Sequence, residues 1–168
     1  YYVDKTGMIK EILTDRTPMV MLITRPRRFG KTLGMSMLEA FFDIRKDHRA
    51  LFEDLEIASH PALCAAWMNQ YPSVFITLRQ VEGLNFQDAY GQLLYEIALL
   101  YREHAYVLDG ASMSEPEKQL YRRLMNREAD RTDVLRSIEF LTQVLHKHYG
   151  RKVILLMDEY DVPVAKAN

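Results

Sequence analysis

The sequence predicts an α/β fold, a parallel sheet covered by helices, and two observations carry that prediction. Three short apolar runs, "MVMLI" (Met19–Ile23), "VFITL" (Val74–Leu78) and "VILLM" (Val153–Met157), show no polar alternation, as strands buried on both faces do. Between them lie stretches with apolar residues at helical spacing, and strands alternating with helices define this class.

The elements follow in order. "KTGMIKEILTD" reads as a short helix before the first strand. Residues 31–43 place Leu33, Met37 and Phe41 on one helical face. From Phe86 onward, Phe86, Tyr90, Leu93, Ile97 and Leu100 repeat at helical spacing. A further helix is expected from Glu115-Pro116, where proline suits a first turn, carrying Leu120 and Leu124. Residues 132–149 set Val134, Ile138, Leu141 and Leu145 on one stripe. "VLDGASMSE" (Val107–Glu115) reads as the main exposed loop. The interval between the second and third apolar runs holds three helices where one crossover is enough, so residues 85–149 read as a helical insertion.

The chain of 168 residues is 48% apolar and 27% charged, enough for a globular domain with a sizeable core. A net charge of −1 gives no global basic field for nucleic acid. The single cysteine, Cys64, excludes an internal disulfide framework and points to a reducing, cytoplasmic setting; its side chain is expected to be buried or half-buried. No apolar run approaches the roughly 18 residues of a membrane helix, and no signal peptide is visible. A start at Tyr1 and an end at "DEYDVPVAKAN" are expected of a piece of a longer polypeptide.

The stretch that carries chemistry is "ITRPRRFGKTLGMSML" (Ile23–Leu38). A phosphate-binding loop needs a strand, a turn of exposed amides, a lysine, and a hydroxyl at the start of a helix. Gly30, Lys31 and Thr32 stand in that order after an apolar run, with Phe29 and Leu33 on either side. Lys31 would reach the phosphates and Thr32 would bind Mg²⁺. Arg25 fills the place of the loop's first glycine, and Pro26 can fix the turn by its own φ. Arg25, Arg27 and Arg28 put three positive charges where phosphate would lie.

A companion motif stands downstream. "VILLMDE" (Val153–Glu159) is an apolar strand ending in two acids. Asp158 can hold the Mg²⁺ shell opposite Thr32, and Glu159 can polarise an attacking water as general base.

"YYVDKTGMIKEIL", "RPRRFGKT" and "LLMDEYDVPV" together resemble the bacterial AAA-ATPase-like family of P-loop proteins. The resemblance covers nearly the whole chain. It implies that Arg25 is the family's own variant of the loop. It matches Lys31 and Thr32 to the Walker A lysine and hydroxyl, and Asp158 and Glu159 to the Walker B pair. It also implies the additional-strand, catalytic-glutamate division of P-loop ATPases and, as partner, a C-terminal nuclease-like domain or DNA.

Other residues are weaker candidates. Tyr2 can stack on an adenine ring, although a plain core contact is the commoner fate of an aromatic. Asp4 can cap the following helix. Asp161 can orient the site or cap its loop. His146 and His148, two apart, do not share a helix face, and His48, His60 and His104 read as surface residues. The nine methionines read as core filler.

The function expected is binding and Mg²⁺-dependent hydrolysis of ATP, coupled to a conformational change in an attached or partner domain. A nucleotide-dependent switch with little hydrolysis is the first rival. A small-molecule kinase is the second, disfavoured because Glu159 suits a water more than a substrate hydroxyl. A GTP switch lacks its Asn-Lys-x-Asp motif. The additional-strand reading further expects Met19–Ile23 and Val153–Met157 not to pair directly, because a later strand would lie between them.

Overall fold

A computed structural model of the chain describes residues 3–14, 20–22, 30–83 and 85–161. It divides into two compact units, residues 1–73 and 74–168.

The first unit is helical. Asp4-Lys5-Thr6 leads into α1 (Gly7–Thr14), as the N-terminal pattern predicts. Asp4 does not cap that helix. Its Oδ1 accepts from the Thr6 amide and hydroxyl, both at 2.8 Å, and its Oδ2 accepts from the Glu56 amide at 2.7 Å. Burial raises the Asp4 carboxyl, but these three donors outweigh it and hold the group below its usual range.

Helix α2 (Lys31–Phe42) buries Met35, Leu38, Phe41 and Phe42. The expected stripe through Leu33 is displaced: Leu33 is 61% exposed, because the first turn stands outside the core. The far end of α2 is tied down. Asn69, Tyr71 and Ile44 continue its backbone bonding, with Asn69 N–H to Phe41 O at 2.7 Å and Ile44 N–H to Tyr71 O at 2.9 Å. Buried Asp43 accepts from Arg45 Nε and Nη2 at 2.9 and 2.7 Å. Phe41 meets Phe52 edge-on, and Phe42 meets Trp67 in the same way. Short 3₁₀ turns at Arg49–Leu51 and Glu56–Ser59 precede α3 (Pro61–Trp67). Cys64 is half-buried as expected, its thiol donating to Ile57 O at 3.3 Å.

The second unit holds the sheet. β1 (Ser73–Thr77) and β2 (Ile154–Asp158) lie within one residue of the second and third apolar runs. They pair as a small parallel sheet, and the Leu78 amide donates to Asp158 O at 3.0 Å where both strands end. The chain is therefore α/β, as predicted. The crossover comprises α4 (Phe86–Glu103), a 3₁₀ turn (Ala105–Asp109), α5 (Glu115–Asn126), α6 (Arg131–Leu135) and α7 (Ser137–Tyr149). Val74 and Ile76 of β1 lie in a core with Ile97, Leu100, Tyr101, Tyr121, Leu124, Leu141 and Leu145. Two buried hydroxyls cross-link its helices: Tyr101 donates to Ser137 O at 2.7 Å and Tyr121 to Tyr101 O at 2.8 Å. Burial pushes both phenols up, so they remain neutral donors.

Several expectations are corrected. Val20, Met21 and Leu22 are exposed and form no strand. A strand exists only where a neighbour takes its backbone bonds, and among the described residues none pairs with these three; Met19 and Ile23 lie outside the described residues. Leu155 and Met157 are exposed, so β2 is covered on one face only. Phe86 is exposed, since α4 projects its first turn past the core and stacks Phe86 on Tyr90. The single stripe over 132–149 is broken at Arg136 into α6 and α7. The expected exposed loop is largely ordered, with Val107 and Met113 buried. His104 is buried and not on the surface, because it ends α4 where the chain turns back, with Nδ1 3.3 Å from Tyr106 Oη.

The start of α5 makes a stability prediction. Glu117 Oε2 accepts from the Ser114 amide at 2.8 Å and from its hydroxyl at 2.9 Å, a capping-box arrangement, and Lys147 reaches Glu117 Oε1. The hydrogen bond from Lys147, followed by those from Ser114, lowers the Glu117 pKa to about 2. A depressed carboxylate stabilises the fold above its unfolded value near 4.5 and loses that contribution as pH falls toward 2. Glu117→Gln is expected to cost about 1 kcal/mol at neutral pH. In urea unfolding of the two proteins, the difference should fade below pH 4.5.

Candidate functional site

The phosphate-loop half is built at the head of α2. Gly30 immediately precedes the helix with φ 74° and ψ 30°, left-handed backbone that a side chain resists and glycine adopts freely. Its carbonyl accepts the Gly34 amide at 2.9 Å and closes the first turn. Lys31 and Thr32 are the first two residues of the helix, Lys31 half-buried and Thr32 exposed. Its first turn carries no acidic residue, and Gly30 itself offers no side chain to cap it. By contrast, α4 starts on Asn85, α5 on Ser114 and α6 on Asp130, each with a side chain engaging the first turn. The N-terminal end of a helix carries partial positive charge and favours an anion.

Sequence reasoning missed one neighbour of this junction. A Cβ placed on Gly30 would lie 3.2 Å from Lys5 Nζ, so a second ammonium stands beside the glycine. The signal was in "DKTG", in which only Asp4 invited attention.

The acidic half is built at the end of β2. Asp158 is the last strand residue and is 2% exposed. Its Oδ1 accepts the Glu159 amide at 3.0 Å. Glu159 is half-buried and holds φ 55°. A non-glycine residue in this region costs on the order of 1 kcal/mol, strain that gathers at functional sites. Tyr160 and Asp161 follow in an exposed turn.

The structure thus groups Gly30, Lys31, Thr32 and Leu33 at one helix head, and Asp158 with Glu159 at one strand end. Lys31 belongs to the first unit and Glu159 to the second. Tyr2, Arg25, Arg27, Arg28 and Phe29 lie outside the described residues.

A family model described as "Predicted AAA-ATPase" matches residues 1–168. The chain belongs to the predicted AAA-ATPase family. It is also 27% identical over 164 residues to an uncharacterized protein in the vnfD 5′ region of Azotobacter chroococcum mcd 1, covering 98% of this chain and 26% of that protein. The chain therefore spans about a quarter of that relative's length. No solved structure matches it.

Membership of the predicted AAA-ATPase family suggests the use of a nucleotide and a metal. A Cβ at Gly30 would crowd the space beside Lys5 Nζ that the bare glycine leaves open. The Thr32 hydroxyl, at the helix head of the first unit, and the Asp158 carboxylate, at the strand end of the second, are each hard oxygen donors. Among the described residues no group of three His, Cys, Asp or Glu could enclose a metal alone. Also among the described residues, no helix is long and apolar enough to cross a membrane.

Proposed function

We propose that this protein binds Mg²⁺·ATP and hydrolyses it, using the cycle to drive a conformational change in an attached or partner domain. The observation that carries the reading is the left-handed Gly30 heading a helix whose first residues are Lys31 and exposed Thr32. Lys31 and the amides of the first turn would hold the phosphates. The Thr32 hydroxyl and Asp158 carboxylate would hold Mg²⁺, which supplies charge neutralisation on the phosphoryl oxygens. Glu159 would orient the water and take its proton. Its amide donates to Asp158 Oδ1. Arg25, Arg27 and Arg28 would add positive charge along the loop, Phe29 and Leu33 would flank it, and Tyr2 would face the base.

The reading is tested by phosphate release from ATP with the full-length chain. Turnover should require Mg²⁺ and disappear with a chelator. Mg²⁺-independent release, or none under any condition, would contradict it.

A further inference from the structure

The first unit holds an open cavity of about 190 Å³, lined by Arg49, Cys64, Ala65, Met68 and Gln70. None of these residues has a part in the scheme above. A buried neighbour fixes the walls. Asn69 is 7% exposed and holds φ 54°. Left-handed backbone at a residue other than glycine persists where its surroundings over-determine it, and several bonds hold Asn69. Its Nδ2 donates to Ala40 O and to Asp43 O, each at 3.0 Å. Its Oδ1 accepts the His48 amide at 3.2 Å, and its own amide donates to Phe41 O at 2.7 Å. The bond from His48 ties down the turn that carries Arg49, and the left-handed backbone sets the directions of Met68 and Gln70 on either side. The α3 wall is pinned as well, because the Cys64 thiol donates to Ile57 O at 3.3 Å. A cavity with walls tied in this way is preformed, the usual state of a small-molecule site.

The lining joins apolar surface to a single charge. Met68 is 8% exposed and offers its thioether chain beside the Ala65 methyl. Burial pushes the Cys64 thiol up, so it stays neutral and acts as a small hydrophobe. Arg49 is the only charged residue among the described ones that line the cavity. Its ion-pair partner among the described residues, Asp47 Oδ1, stands 3.7 Å away, and both side chains are mostly exposed. Such a pair contributes little and leaves most of the guanidinium's donors to water. A planar guanidinium takes a carboxylate through two parallel bonds, and one cation balances one negative charge. The volume equals that of about six waters in the liquid, room for a small branched-chain or aromatic acid.

We propose that this cavity is a binding site for a small organic monocarboxylate, with its carboxylate on Arg49 and its apolar body against Ala65 and Met68.

The test reads the methionine methyl resonances of the full-length chain labelled with carbon-13 at those methyls. The Met68 signal is the one missing from Met68→Leu. Acetate, isovalerate and benzoate are the probes, and benzamide is the uncharged control. Isovalerate and benzoate should shift the Met68 signal saturably, with half-saturation at about 1 mM or below. Acetate, which fills less of the cavity, should bind more weakly. Benzamide with the parent, and benzoate with Arg49→Gln, should each need at least about tenfold more ligand. Ala65→Phe, which fills the cavity from an exposed helix position, should remove the response. No saturable shift from any of the three acids up to about 20 mM would overturn the proposal. So would equal responses to benzamide and benzoate, or unchanged affinity in Arg49→Gln or Ala65→Phe. The benzamide comparison needs no variant, so the requirement for charge is tested even where a substitution prevents folding. Nucleotide is absent throughout, which keeps the outcome separate from the nucleotide reading.

Discussion

Glu159→Gln in the full-length chain is expected to bind Mg²⁺·ATP as the parent does and to lose about a hundredfold or more in kcat. The substitution is nearly isosteric and removes only the ability to take a proton. The backbone at 159 keeps its φ of 55° and its amide bond to Asp158 Oδ1, because neither uses the Glu159 side chain. Asp158 therefore keeps its position at the end of β2. Comparing single-turnover hydrolysis with equilibrium binding separates the two effects. Parent-like turnover in Glu159→Gln would place the base on another residue and favour a nucleotide switch. Loss of binding along with turnover would mean that Glu159 holds the strand end together and does not act on water.

Lys31→Ala is expected to weaken Mg²⁺·ATP by about a hundredfold or more, beyond an ordinary titration. It should leave the fold intact. Lys31 is the first residue of α2 and half-buried, while the core of that helix is formed by Met35, Leu38, Phe41 and Phe42. Alanine also has the highest helix propensity, so the first turn should persist. Unchanged far-ultraviolet circular dichroism with lost binding is the predicted pair of results. Retained affinity would remove the phosphate-loop assignment.

The sequence made strand position and helix starts legible where local chemistry dominates. Val74–Leu78 and Val153–Met157 were placed to within one residue of β1 and β2, because unbroken apolar runs have few alternatives. Glu115-Pro116 marked the start of α5, because proline fits a first turn and little else in a helix. What was illegible depends on long-range partners. Val20–Leu22 has the composition of a strand, but pairing makes a strand, and no local signal reports on pairing. Leu33 and Phe86 fit their helical stripes by spacing, yet each stands in a first turn beyond the packed core. No element was assigned between Ile44 and Pro72, a segment that folds through two 3₁₀ turns, one short helix and side-chain bonds from Asn69.

The candidate site shows the same division. "GKT" and "DE" announced themselves as motifs, and they lie at a helix head and at a strand end. Lys5 did not. It reaches Gly30 from 25 residues earlier in the chain, and no spacing rule links the two. The hydrogen bonds of its neighbours, Asp4 with Glu56 and Thr6 with Ile57, span 52 and 51 residues. His104 was misplaced for a related reason, since a helix end that folds back on its own hairpin buries a residue that periodicity leaves outside.

The central claim is that the Gly30–Thr32 helix head binds the phosphates of Mg²⁺·ATP. Its most direct test is a crystal structure of the full-length chain with Mg²⁺ and a non-hydrolysable ATP analogue. The predicted result is a terminal phosphate within hydrogen-bonding reach of Lys31 Nζ and the first amides of α2, with the metal on the Thr32 hydroxyl. A nucleotide bound elsewhere on the protein, with this helix head untouched, would contradict it.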